Sequence, residues 1–79
     1  MHAQVEIKRH GMLRLRVKEV AEQKGYNMSS LSRASNISFN TIKRIWRNPY
    51  GGANINTLNK IAQTLGVSIG DLTEEVPDE

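Results

Sequence analysis

The chain has no cysteine. Disulfides, thiolate nucleophiles and zinc–cysteine centres are excluded with it. Histidine is almost as scarce. His2 and His10 stand near the N-terminus without other metal-type ligands around them, so they read as solvated side chains and no metal is expected. No apolar run approaches the roughly 18 residues of a membrane span, and the first residues do not read as a secretion signal. The expected location is cytoplasmic. Length excludes more. A chain of 79 residues is one small domain, and such a chain buries only about 60% of its unfolded surface. A deep catalytic cleft is not expected, and neither is a cofactor or a small-molecule substrate. Ser29, Ser30, Ser32 and Ser35 cluster in sequence, but no histidine or acid stands near them to activate a nucleophile.

The most informative absence is of acids. From Gln23 to Gly70 there is no Asp or Glu, while Lys24, Arg33, Lys43, Arg44, Arg47 and Lys60 all fall inside. Residues 1–50 hold ten Lys/Arg against three acids, and residues 51–79 hold one Lys against five acids. The net charges are thus 10 − 3 = +7 and 1 − 5 = −4. A solvated surface normally mixes signs. A long acid-free span with scattered cations suits a face that binds a polyanion.

Residues 1–11 show no helical period. Val5 and Ile7 alternate with polar residues, so this arm reads as a short strand or as disorder, with Met12 an alternative start. Leu13 to Lys24 reads as a first helix with the stripe Leu13, Val17, Val20 and Ala21, stopped by Gly25. A second helix is expected from Met28 to Ser35, capped by Asn27 or Ser29, with Leu31 and Ala34 inward. Asn36 is the non-glycine residue best suited to a left-handed turn, Ile37 is an apolar plug, and Ser38 caps a third helix from Phe39 to Arg47. Asn27 and Asn36 also begin N-glycosylation patterns, but both have these structural readings. Pro49 stops the third helix near Asn48, and NPYGGA is a loop. Asn54 caps a fourth helix, Ile55 to Leu65, with the stripe Ile55, Leu58, Ile61, Ala62 and Leu65. Gly66 ends it. Ser68 and Asp71 form a capping-box pair for a short fifth helix through Leu72. The acidic tail from Glu74 to Glu79 should fray. The domain is therefore expected over residues 12–73, between an arm and a tail.

On a wheel of about 100° per residue, Ile42, Ile45 and Trp46 fall on one face of the third helix. Asn40, Lys43, Arg44 and Arg47 fall on the other, with Phe39 and Thr41 at the edges. One face seals the domain. The other offers amide and guanidinium groups to a partner that is anionic and rich in acceptors. Double-stranded DNA fits, because its major groove admits a helix, Asn pairs with adenine and Arg with guanine. Helix, tight turn, N-cap and second helix make a helix-turn-helix layout.

From Lys18 to Leu72 the chain also resembles the Cro-like phage-repressor family, the XRE-type proteins. LSRASNISFNTIKRI and NINTLNKIAQTLGVSIGDL carry the resemblance, in the family's order and separation. It implies an all-α fold, a compact five-helix bundle of lambda-repressor type, and sequence-specific DNA binding in transcriptional control. It further implies base contacts from Phe39, Asn40 and Arg44 with Lys43 close by, and phosphate contacts from Asn27, Met28, Arg47 and Tyr50, with Thr41 beside them. Several positions depart from the family pattern. Asn36 replaces the turn glycine and Ser32 an alanine. Ala21 and Trp46 occupy positions where many members pair Arg with Glu, which reads as an ion pair replaced by packing. Met28 lacks an amide donor, and the loop lacks the lysines of many relatives.

Plainer readings stand beside these. Trp46 is expected in the core and not as a base-stacking platform. Phe39 is either groove-facing or a boundary side chain. Lys43 and Arg44 could be a solvated face outside the helix-turn-helix context. Arg14, Arg16 and Lys18 read as solvated on the first helix. A homodimer on a two-fold DNA site is expected, with Val67, Ile69 and Val76 as candidate contacts. The competing function is an antitoxin-like or adaptor module that uses its acidic half as the partner face. RNA is disfavoured, since its deep, narrow major groove does not admit a helix.

Overall fold

The computed structural model describes residues 11–77. In chain order it contains strand β1 (Gly11–Leu15) and helices α1 (Val17–Gln23), α2 (Met28–Ser35), α3 (Phe39–Arg47) and α4 (Ile55–Leu65). A 3-10 turn (Ile69–Leu72) and strand β2 (Thr73–Pro77) complete it. The four helices surround one core, in which Val17, Leu31, Ile42, Ile45, Ile61 and Leu72 are almost completely buried. The two strands pair antiparallel into a ribbon made from opposite ends of the described chain, with Gly11 opposite Pro77 and Leu15 opposite Thr73.

Among the described residues, the expected all-α fold with five helices is therefore corrected to four helices, one 3-10 turn and a two-stranded sheet. The first helix starts at Val17 and not at Leu13. Leu13 and Leu15 belong to β1, where Leu15 is 5% exposed and Leu13 is 65% exposed. A helical stripe and a strand alternation compete for these leucines, and pairing with a distant segment decides between them. That segment includes most of the tail expected to fray from Glu74 to Glu79, since β2 is Thr73–Pro77. The fifth helix is a single 3-10 turn, though its capping box is complete. The Ser68 hydroxyl accepts from the Asp71 amide at 3.3 Å, and the Asp71 carboxylate accepts from the Ser68 amide at 3.2 Å. The arm up to His10, including Val5, Ile7 and both histidines, lies outside the described residues.

Hydrogen bonds fix the phase of the ribbon. The Leu15 amide donates outward to the Pro49 carbonyl at 2.8 Å, and the next amide, Arg16, donates to the Leu72 carbonyl at 2.7 Å. Antiparallel pairs alternate between those that exchange backbone bonds and those that do not. Arg14–Glu74 and Met12–Val76 therefore belong to the bonded set, and Gly11–Pro77 does not. Proline has no N–H to give, and its place in the register calls for none. The side chains add an ion-pair cluster. Arg14 reaches Glu19 on α1 and Glu74 on β2, the latter at 3.2 Å. Arg14 was expected to be a solvated helix residue; it is a strand residue that ties three elements. Its guanidinium is held further above its ordinary range by the hydrogen bond to Glu19. For Glu19, partial burial opposes ionisation, but its own backbone hydrogen bond and Arg14 outweigh it and hold the carboxyl below the usual range.

Two further packing expectations change. Ala34 is exposed and Ser35 is buried. Leu31 and Ser35 are four residues apart and lie about 40° apart on the wheel, closer than Leu31 and Ala34 at about 60°. The buried Ser35 hydroxyl is satisfied by donating to the Leu31 carbonyl at 2.6 Å. Ile55 is 64% exposed, because the first residue of α4 projects beyond the core that Leu58, Ile61, Ala62 and Leu65 fill. Ala21 is fully buried and Trp46 packs partly buried against the core.

Candidate nucleic-acid interface

The site is built from α2, the turn after it, and α3. Asn27 caps α2 through a reciprocal pair. Its side-chain oxygen accepts from the Ser30 amide at 2.8 Å, and its own amide donates to the Ser30 hydroxyl at 2.9 Å. Neither residue need move to present the remaining first-turn amides. Asn36 ends α2 in the left-handed region with φ +62. The Ile37 amide then donates back to the Ser32 carbonyl at 3.2 Å, and the Ser32 hydroxyl donates to the Ile37 carbonyl. A small hydroxyl residue at position 32 thus pins the turn as well as giving room. Ile37 packs against the core. Ser38 accepts from the Thr41 amide and starts α3.

On α3, Ile42 and Ile45 face the core, and Asn40, Arg44 and Arg47 are exposed with Lys43 half-buried. These four polar side chains span an arc of about 100°. Phe39 stands at the start of the helix, 42% exposed. Arg44 and Arg47 lie in the last turn, where the helix dipole favours cations. The structure therefore gathers Asn40, Lys43, Arg44 and Arg47 on one face, with Phe39 at its edge. It treats the other expected residues differently. Met28 packs against the core, so its amide, not its side chain, is what α2 presents. The Thr41 hydroxyl takes a hydrogen bond from Ser38 at 3.0 Å. Tyr50 is 49% exposed in the following loop.

That loop holds partners the sequence did not suggest. The Gly51 amide donates to the Asn48 carbonyl at 3.0 Å, closing a turn over Pro49 and Tyr50. A side chain at Gly51 would meet the Asn48 amide group at 2.8 Å, so only glycine fits without a shift. Gly52, with φ +76, turns its carbonyl to accept from Arg44 Nη1 at 3.0 Å. Nothing in residue type marks a loop carbonyl in advance. The one available signal was the glycine pair itself.

Two helices joined by a pinned turn, the second with a basic, acid-free outer face, define a helix-turn-helix DNA-binding domain. The chain belongs to the Cro/C1-type HTH DNA-binding domain family, whose model matches residues 16–78. The match includes all four helices, the 3-10 turn and β2, and begins just after β1. No curated protein matches the chain at the level that would mark a relative. Among the described residues, no helix is long and apolar enough to cross a membrane.

Proposed function

We propose that the protein is a sequence-specific transcriptional regulator that reads double-stranded DNA by laying α3 in the major groove. One observation carries the reading. Asn40, Lys43, Arg44 and Arg47 occupy the exposed face of α3 while Ile42 and Ile45 bury the opposite one. In the groove Asn40 pairs with adenine and Arg44 with guanine, and Lys43 reaches neighbouring acceptors. Phe39 presses on a thymine methyl. Arg47 and Tyr50 hold the backbone at one end. Asn27, Thr41 and the Met28 amide, at the α2 and α3 starts, hold it at the other. The lack of acids from Gln23 to Gly70 keeps this surface attractive to phosphate.

A single module gives a small interface, so the regulator acts as a homodimer on a two-fold site. Val67 and Ile69 are already partly engaged with the core, which leaves Val76 on β2 as the better placed of the three expected contacts. The working location is the cytoplasm.

Selection of random duplex DNA on the purified protein tests the reading. A palindromic motif, retained at moderate salt and lost in Asn40→Ala or Arg44→Ala, is the expected result. Binding without any motif that simply fades with salt would reduce the surface to a polyanion patch and turn attention to a protein partner.

A further inference from the structure

The strand β1 lies upstream of the family match, yet it touches the loop that follows α3. Three anchors hold that loop. The Gly51 amide closes it internally on Asn48. Arg44 Nη1 binds the Gly52 carbonyl from the α3 side. From β1, the Leu15 amide donates to the Pro49 carbonyl at 2.8 Å. Leu15 is itself fixed, since its side chain is 5% exposed in the core and its neighbours are paired with β2 and locked by the Arg14 cluster.

We propose that β1 is a working part of the DNA-binding surface: through the Leu15 amide it sets the position of the Pro49–Gly52 loop, and so of Tyr50 and Arg44. The inference rests on the DNA-binding reading and adds a positioning role for residues upstream of those the family model matches. A guanidinium carries five N–H donors, so Arg44 can keep one on Gly52 and still present a fork to guanine. Its aim then depends on where the Gly52 carbonyl stands. Tyr50 sits directly after the braced Pro49 carbonyl, so its hydroxyl moves with the same anchor. Holding these groups before DNA arrives removes ordering cost from the binding step.

The test removes one N–H and no side chain. Leucic acid replaces Leu15, converting the amide to an ester, and the same replacement at Leu13 serves as control. Leu13 lies in the same phase of the ribbon, so both esters weaken one carbonyl of the bonded set, but only Leu15 reaches the loop. In the free protein, amide exchange at Gly51 and relaxation of Tyr50–Gly52 should rise for the Leu15 ester and not for the control. Affinity for the selected DNA should fall about two- to tenfold, the span that one lost hydrogen bond produces. In that background Arg44→Ala and Tyr50→Phe should cost less than in the unmodified chain, whereas Asn40→Ala should cost the same. A merely structural loss would leave all three costs unchanged. Should the ester impair folding, Arg14→Gln loosens the ribbon from its surface and should shift the loop and the Arg44 coupling in the same direction. An unchanged loop with unchanged coupling would overturn the brace and leave the DNA reading standing. Failure of the unmodified protein to select any duplex would overturn both.

Discussion

From Asn27 to Arg47, each element is started or stopped by a residue next to it in the chain. Asn27 opens α2, Asn36 closes it, and Ser38 opens α3. The ribbon of β1 and β2 has no such local devices. Its strands are held by each other, by a loop carbonyl and by Arg14, whose partner Glu74 is 60 residues away. The charges divide the same way. The helix-turn-helix keeps its cations free of acids, while the ribbon spends its cation on two carboxylates. Local capping lets a segment present unpaired charge to a partner. A segment that lacks local signals needs its charge for its own assembly.

Substitutions at five positions probe that contrast. The largest effect is expected from Ile45→Ala, which should cost about 2–5 kcal/mol of stability by opening a cavity under α3. Urea unfolding followed by helical circular dichroism measures it, and a loss well below 1 kcal/mol would mean that α3 is not anchored through its inner face. Next come Asn40→Ala and Arg44→Ala. Each should weaken binding to the selected sequence by about 1–3 kcal/mol and relax preference at one base pair, with the unfolding midpoint unchanged for Asn40→Ala and slightly lowered for Arg44→Ala, which also gives up the bond to Gly52. An equal loss on random duplex would make the residue a phosphate contact instead. Asn36→Ala should then cost about 1–2 kcal/mol, because a Cβ is strained in the left-handed region. Asn36→Gly should be close to neutral, and equal losses from the two would show that the Asn36 side chain matters more than its backbone.

The smallest effect belongs to the ribbon charges. Glu74→Gln should increase amide exchange in β1 only slightly, and added salt should erase the difference. Acid gives a related readout. Glu19 has a lowered pKa in the folded state, so its contribution is complete above the ordinary carboxylate value. It is lost as pH falls below the ordinary carboxylate value and through the lowered folded one. A ribbon protection factor, with the intrinsic pH dependence of amide exchange divided out, that does not fall on acidification through the carboxylate range would remove Glu19 from the cluster.

The same contrast explains what was legible in the sequence. α2, α3 and α4 were expected from Met28 to Ser35, Phe39 to Arg47 and Ile55 to Leu65, and those are their limits in the structure. Each begins at an Asn or Ser cap, and caps are local. The exposed face of α3 was legible too, since periodicity alone separates Asn40, Lys43 and Arg44 from Ile42 and Ile45. The ribbon was not. GMLRL fits a helix stripe as well as a strand, and TEEVP looks like an acidic tail until its partner is known. Within the site, the Gly52 carbonyl and the Pro49 carbonyl were invisible for another reason. A backbone acceptor exists at every residue, and only the folded chain shows which ones are aimed.

The span between Arg14 and Glu74 also bears on the order of events in folding. Joining segments so far apart closes nearly the whole described chain into a loop, an entropic cost that must be met before the contact returns anything. Helices with their own caps form without waiting for it. The ribbon should therefore be the last element to close and the first to open, so that protection from exchange in β1 and β2 ends well before that of Leu31 or Ile61. The chain would then pass through a state with all four helices in place and both ends loose.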